Sequence, residues 1–155
     1  DVSGLSSAKI LTSTGVNREN VLMFQDNLVG AEEATLLEGP VSGIKCHYCP
    51  GMVVSMGKSV SDGQLKLMTR PGIKRWNLGL DLDAARELTR LCRIAAGADI
   101  KVFRMLPDPG KSGKGDFGDM TPRGCFVAYK NAQRITAGHV FVPPWNDRFS
   151  QGAAD

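Results

Sequence analysis

The sequence lacks any long run of apolar residues. No stretch approaches the roughly 20 residues that a membrane-spanning helix needs, and no signal peptide is recognisable. With 42% apolar and 23% charged residues, the chain also lacks the bias of collagen, disordered or coiled-coil proteins. The 155 residues are therefore predicted to form one globular domain without a membrane span.

A large charge imbalance is also missing. Nineteen basic and sixteen acidic residues leave a net charge of only +3, which is a weak argument for a nucleic-acid partner and none for a membrane. The distribution is more informative, because basic residues outnumber acidic ones from Lys101 onward. The second half of the chain is therefore the more basic half.

The four cysteines do not require a disulfide framework. Cys92 falls on the apolar side of a predicted helix, where a reduced, buried thiol is typical. An intracellular protein is therefore expected. The chain begins at Asp1 without methionine, which suggests organellar presequence removal or polyprotein cleavage, and the sequence does not choose between an organellar and a viral origin.

The predicted fold is α+β, with a mainly antiparallel sheet of about six strands packed by one main helix at residues 82–96. We expect an N-terminal arm at 1–40, a single domain at 41–145 and an extended tail at 146–155. Alternating or apolar segments predict the strands. These segments are GIKCHY, GMVVSMGKSV, GQLKLMTR, RWNLGL and DIKVFRML, followed by a hairpin of CFVAYKN and RITAGHVFV.

The helix is the best-defined element of the sequence. Asp81 or Asp83 is expected to cap its N-terminus, and Gly97 to end it. One face forms an apolar stripe and the arginines occupy another face. The stripe consists of Ala85, Leu88, Leu91, Cys92 and Ala95, and the arginines are Arg86, Arg90 and Arg93.

Cys46 and Cys49 form a Cys-x-x-Cys, a spacing that zinc knuckles use. A second ligand pair is not evident, because the other cysteines and histidines have no paired spacing. A redox pair is another alternative. We interpret both residues as ordinary strand cysteines, so they are weak metal candidates, and neither a metal nor another cofactor is predicted.

Two further motifs suggest enzymatic sites. The segment around His139, RITAGHV, resembles the histidine segment of chymotrypsin-like proteases, but Ser150 lies in no nucleophile turn, so no catalytic residue is predicted. PDPGKSGKGD suggests a phosphate loop, yet Met105 stands where the Walker pattern needs glycine. A basic loop that contacts phosphates through Lys111 and Lys114 is the remaining expectation.

Several strands followed by one helix, ending in LDLDAARELTRLCR, resemble the β-β-β-β-α unit of Whirly, Pur-alpha and related single-strand-binding proteins over residues 41–97. The resemblance implies a sheet face that combines bases with flat side chains. Trp76 shares its face with leucines and is predicted to be core. The predicted nucleic-acid-binding residues are Lys66, Arg70, Lys74 and Arg75, with Lys111 and Lys114.

Two functions follow from these features. The first is a non-enzymatic module that binds single-stranded DNA or RNA, or sits in a ribonucleoprotein. The alternative is a structural subunit of an organellar complex or viral particle, with termini that wrap neighbouring subunits. The expected partners are single-stranded nucleic acid or other protein subunits, within an oligomer or complex. An enzyme is disfavoured, because no nucleophile, base and orienting acid form one constellation.

Overall fold

The structure is a computed structural model that describes residues 17–81, 83–108 and 115–138. Its strands and helices alternate along the chain. The strands are β1 (Glu33–Leu37), β2 (Met52–Val54), β3 (Arg75–Gly79), β4 (Lys101–Arg104) and β5 (Gln133–Ile135). The helices are α1 (Pro40–Lys45), α2 (Asp62–Met68), α3 (Ala85–Gly97) and α4 (Pro122–Lys130), with 3-10 turns at Arg18–Asn20, Gln25–Leu28 and Phe117–Asp119.

The five strands form one sheet in the order β2-β1-β3-β4-β5. The first four strands in this order pair in parallel, and only β5 runs antiparallel, against β4. The prediction of a mainly antiparallel sheet of about six strands is therefore wrong. Parallel strands need crossover connections, and the sequence predicts strands at two of the three helices that make them, α1 and α2.

Three of the predicted strands are helices. GIKCHY overlaps α1, GQLKLMTR overlaps α2 and CFVAYKN lies in α4. In α2, Leu65 and Met68 are buried at a helical spacing of three residues, although Leu65, Leu67 and Thr69 also satisfy a two-residue period. Short apolar runs fit both periods, so alternation alone could not distinguish them. Residues 41–97, which carry the Whirly resemblance, contain α1, β2, α2, β3 and α3 in that order.

β1 lies inside the range for which an arm was predicted, and it is a central strand of the sheet. Ala34 to Leu37 are all buried, because helices cover both faces. A strand buried on both sides has no alternation of polar and apolar residues, so it has no amphipathic signature. Residues 1–16 of the predicted arm lie outside the described residues, which begin at Asn17.

α3 confirms the predicted main helix. Leu88, Leu91, Cys92 and Ala95 are buried, and the helix ends at Gly97. The predicted cap is wrong, because Ala84 is the N-cap residue and no side chain caps the helix. Asp81 and Asp83 are therefore available for another role.

The core has two parts, one on each face of the sheet. α2 and α3 pack on one face with Leu36, Trp76 and Leu78, all fully buried. α4 and the residues after α1 pack on the other face with Leu37 and Phe117. Trp76 is core as predicted, and its indole Nε1 donates a hydrogen bond of 2.9 Å to the Met68 carbonyl. The described helices include none that is long and apolar enough to cross a membrane.

The turn before β2 depends on Gly51, which has a left-handed φ of +56°. A Cβ atom there would overlap the backbone carbonyl of Glu33 in β1. Gly51→Ala is therefore expected to destabilise the fold by at least about 2 kcal/mol, measured by urea unfolding. Gly30→Ala is the matched control, because Gly30 also has a positive φ (+71°) but open space around it. Equal losses in both variants would contradict the close approach of the two strands.

Candidate functional site

The sheet contains a topological switch between β1 and β3. These strands are neighbours, yet the chain leaves β1 toward β2 on one side and β3 toward β4 on the other. In open sheets with this topology, ligands bind in the crevice at the carboxyl ends of the two strands. Glu38 directly follows β1 and Asp81 lies two residues after β3, so both carboxylates stand at this crevice.

The Glu38 and Asp81 carboxyl groups are neighbours that perturb each other's pKa, and Glu38 lowers the pKa of Asp81. Burial and the nearby Asp81 carboxylate raise the pKa of Glu38. Burial and the carboxylates of Asp116 and Asp83 raise the pKa of Asp81. Two carboxylates this close disfavour simultaneous ionisation, so the pair either retains a proton or needs a cation.

Two further carboxylates complete the carboxylate cluster, which we define as Glu38, Asp81, Asp83 and Asp116. Asp116 precedes the Phe117–Asp119 turn, and its Oδ1 accepts hydrogen bonds from Gly118 N at 2.7 Å and Ser42 Oγ at 3.3 Å. Ser42 belongs to α1, so these bonds tie the Asp116 loop to the helix that follows β1.

Lys58 is the basic residue that interacts with the carboxylate cluster. Its Nζ lies 2.5 Å from Asp83 Oδ2. The hydrogen bond to Asp83 raises the pKa of Lys58, and the charges of Glu38 and Asp81 act in the same direction. One lysine therefore faces three carboxylates, with Asp116 close to Asp81, so the site carries excess negative charge whenever the acids are ionised.

The donor chemistry of the cluster fits a hard divalent cation. The Glu38 Oε2 atom is buried and accepts no hydrogen bond from any described residue. As they stand, no three Asp, Glu, His or Cys side chains among the described residues converge on one metal position. Mg²⁺ does not need three, since it usually binds one or two carboxylates and completes its shell with water and phosphate oxygens.

The predicted basic residues lie elsewhere. Lys74 and Arg75 are at the amino end of β3, opposite the carboxylate cluster, and both pair with acids there. Lys74 Nζ lies 3.4 Å from Glu32 Oε1. The half-buried Arg75 lies 3.7 Å from Glu33 Oε2 and stacks 3.8 Å above the Phe103 ring. Arg75 is therefore committed to packing within the fold.

The other predicted residues are dispersed. Lys66 is exposed on α2 and Arg70 follows that helix, so neither lies on a strand. Lys111 and Lys114 lie outside the described residues, between Asp108 and the cluster residue Asp116 in the chain. His139 and Ser150 also lie outside the described residues.

Cys46 and Cys49 are buried in the same apolar cluster as Cys125, and none of the four cysteines forms a disulfide. A hydrogen bond to Cys49 and burial raise the pKa of Cys46, and burial raises the pKa of Cys125, whereas the hydrogen bond to Cys46 lowers the pKa of Cys49. A neutral, buried thiol is a poor metal ligand, because zinc binds the thiolate. The environment of Cys46 and Cys125 therefore favours a packing role.

Sequence reasoning missed the carboxylate cluster. The signal was present, since LLEG and LGLDLD each place acids directly after a short apolar run. In parallel strands such acids meet at one edge, whereas the assumed antiparallel sheet would have separated the ends of neighbouring strands. The local pattern around Asp81 and Asp83 instead predicts a helix cap, because a short acceptor side chain can satisfy the free amides at a helix start.

The fold resembles that of a solved primase from Aquifex aeolicus, whose structure comprises zinc-binding and RNA polymerase domains. The TM-score is 0.59 at 11% sequence identity, over 81% of this chain and 33% of the primase chain. The chain thus spans about a third of that protein, and the likeness concerns the fold. No protein-family model and no curated relative matches the sequence.

The raised pKa values predict a specific pH dependence. A carboxyl group with a higher pKa in the folded state binds its proton more strongly there, so stability falls as pH rises from the ordinary carboxyl range through the raised pKa. Asp81→Asn is therefore expected to raise Tm by about 2–5 °C at pH 7.5 without metal, and by less near pH 4. Asp26→Asn, an exposed control away from the cluster, should leave Tm nearly unchanged. A lower Tm for Asp81→Asn at pH 7.5 would contradict carboxylate repulsion.

Proposed function

We propose that Glu38 and Asp81 hold a divalent cation of the Mg²⁺ class and that this cation binds nucleic-acid phosphates. The observation that carries the proposal is the placement of two acids of raised pKa, Glu38 and Asp81, at the carboxyl ends of the adjacent parallel strands β1 and β3. A cation there would relieve their repulsion and satisfy the buried Oε2 atom of Glu38.

Phosphates are the ligand class that best fits such a cation. A negative cluster repels a polyanion unless a metal bridges the two, and Mg²⁺ sites in proteins commonly share their ligands with phosphate oxygens. When bound, the metal would neutralise phosphate charge and polarise the phosphorus centre. The chain would then be the metal-binding module of a protein that acts on phosphodiesters, in place of the non-enzymatic module predicted from sequence.

The structural likeness supports the nucleic-acid part of this proposal. The similar protein is a primase whose solved structure includes an RNA polymerase domain. Because a fold can host unrelated functions, the likeness adds to the carboxylate cluster and does not replace it.

A second surface remains a candidate for binding single-stranded nucleic acid. Lys66, Arg70 and Lys74 are basic residues on or after α2, and Lys66 and Lys74 are exposed. Such a surface would bind phosphates directly, without a metal and with a steep salt dependence. It therefore differs experimentally from the carboxylate cluster, which requires a metal.

Metal binding is tested by calorimetric titration of Mn²⁺ into the protein. The wild type is expected to bind one Mn²⁺ ion per chain, with competition by Mg²⁺. Glu38→Gln and Asp81→Asn should each weaken binding by at least about tenfold, because the loss of a carboxylate removes a charged ligand. Asp26→Asn should bind like the wild type. Unchanged affinity in both cluster variants would place any bound metal elsewhere.

Nucleic-acid binding is tested by fluorescence anisotropy with labelled single-stranded DNA and RNA, with Mg²⁺ or with EDTA. Binding that needs Mg²⁺ and is lost in Glu38→Gln supports the carboxylate cluster. Binding that persists in EDTA and is lost when Lys66, Arg70 and Lys74 are all changed to alanine supports the basic surface. The absence of binding in every condition, from folded protein at low salt, would contradict both surfaces.

A further inference from the structure

We propose that Lys58 is the phosphate-positioning residue of the carboxylate site, and that it pairs with Asp83 only until a metal and its phosphate ligand arrive. This inference rests on the metal-dependent function proposed above. It assigns a role to a side chain that neither the sequence motifs nor the structural likeness singled out.

Lys58 lies at the carboxyl edge of the sheet. It belongs to the loop between β2 and α2, and β2 is the neighbour of β1 in the sheet. The loop thus brings Lys58 toward Asp83, which follows β3 on the far side of β1. The 2.5 Å contact between Lys58 Nζ and Asp83 Oδ2 joins the loops on either side of the end of β1, where Glu38 lies, so Lys58 stands beside the carboxylate cluster.

The loop is held at both ends. Ser55 N donates to the Leu37 carbonyl at 3.0 Å, which fixes the start of the loop to β1. At the other end, Val60 N donates to Glu87 Oε1 at 2.8 Å. Ser61 then caps α2 and accepts a hydrogen bond of 3.1 Å from Gln64 N. The backbone around Lys58 is therefore anchored, while its side chain retains freedom.

The Lys58–Asp83 ion pair is weak enough for a divalent cation to displace Lys58 from Asp83. The two side chains are 63% and 64% exposed, and exposed ion pairs contribute little because water screens them. A divalent cation among the carboxylates would compete with the ammonium group for Asp83. Lys58 would then be released beside the metal, where a lysine can pair with a phosphate oxygen as a mobile point charge.

If Lys58 has this role, Lys58→Ala should change the affinities for Mn²⁺ and for an oligonucleotide in opposite directions. Loss of the competing positive charge should strengthen Mn²⁺ binding to the free protein by about threefold or more. Loss of the phosphate partner should weaken binding of a labelled single-stranded oligonucleotide in the presence of Mn²⁺ by about fivefold. Lys101→Ala, an exposed lysine at the amino end of β4, is the charge-matched control and should change neither affinity.

The experiment is a calorimetric Mn²⁺ titration and an anisotropy titration on the wild type, Lys58→Ala, Lys58→Arg and Lys101→Ala. A merely structural role of Lys58 would lower both affinities together, and that outcome would overturn the inference. Unchanged affinities in Lys58→Ala, with a wild type that binds Mn²⁺ through Glu38, would overturn it while leaving the proposed function intact. A wild type that binds no Mn²⁺ would overturn both. Recovery of oligonucleotide binding in Lys58→Arg would support the positioning role.

Discussion

The parallel pairing of β1 with β3 places two carboxylates, Glu38 and Asp81, side by side at one edge of the sheet, and the organisation of the site depends on that pairing. Glu38 and Asp81 stand at adjacent strand ends because Leu37 is paired with Gly79 in the sheet. Gly79 also allows the close packing of Leu37, since a Cβ atom there would lie 2.5 Å from Leu37 Cδ2. The apolar core therefore holds two acids together in spite of their repulsion. Such destabilising arrangements, with perturbed pKa values, are typical of functional sites.

The two ends of the sheet differ in their electrostatics. At the amino end, acids and bases are matched, because Lys74 pairs with Glu32 and Arg75 with Glu33. At the carboxyl end, Lys58 faces several acids and pairs closely with Asp83 alone. Matched ion pairs on a surface contribute little to the stability of the fold, and they leave little net charge to attract a ligand. The excess charge at the carboxyl end is what makes that edge the better candidate for ligand binding.

Part of this fold could be predicted from the sequence. The arginine-rich helix and the strands around Trp76 and Val102 have clear periodicity, and the structure confirms them. The helix signals at α2 and α4 were available but outweighed by apparent alternation. Ser61 with Gln64 is a capping box, and Thr121 before Pro122 is a typical helix start. β1 was hidden because burial on both faces removes alternation.

The carboxylate cluster was hidden for a different reason. Its members come from three separate loops, so their proximity depends on strand order, and strand order is a property of the whole sheet. Local patterns describe Asp81 and Asp83 equally well as helix caps. An alternation of helices and strands, once recognised, would have placed Glu38 and Asp81 at one edge and made the site predictable.

The metal site at the ends of β1 and β3 is tested most directly by the anomalous diffraction of crystals grown with Mn²⁺. We expect an anomalous peak within ligand distance of the Glu38 and Asp81 carboxylates, and loss of that peak in Glu38→Gln crystals. A folded protein whose Mn²⁺ peak lies away from both carboxylates, or that shows none at millimolar Mn²⁺, would contradict a metal-binding role for this edge of the sheet.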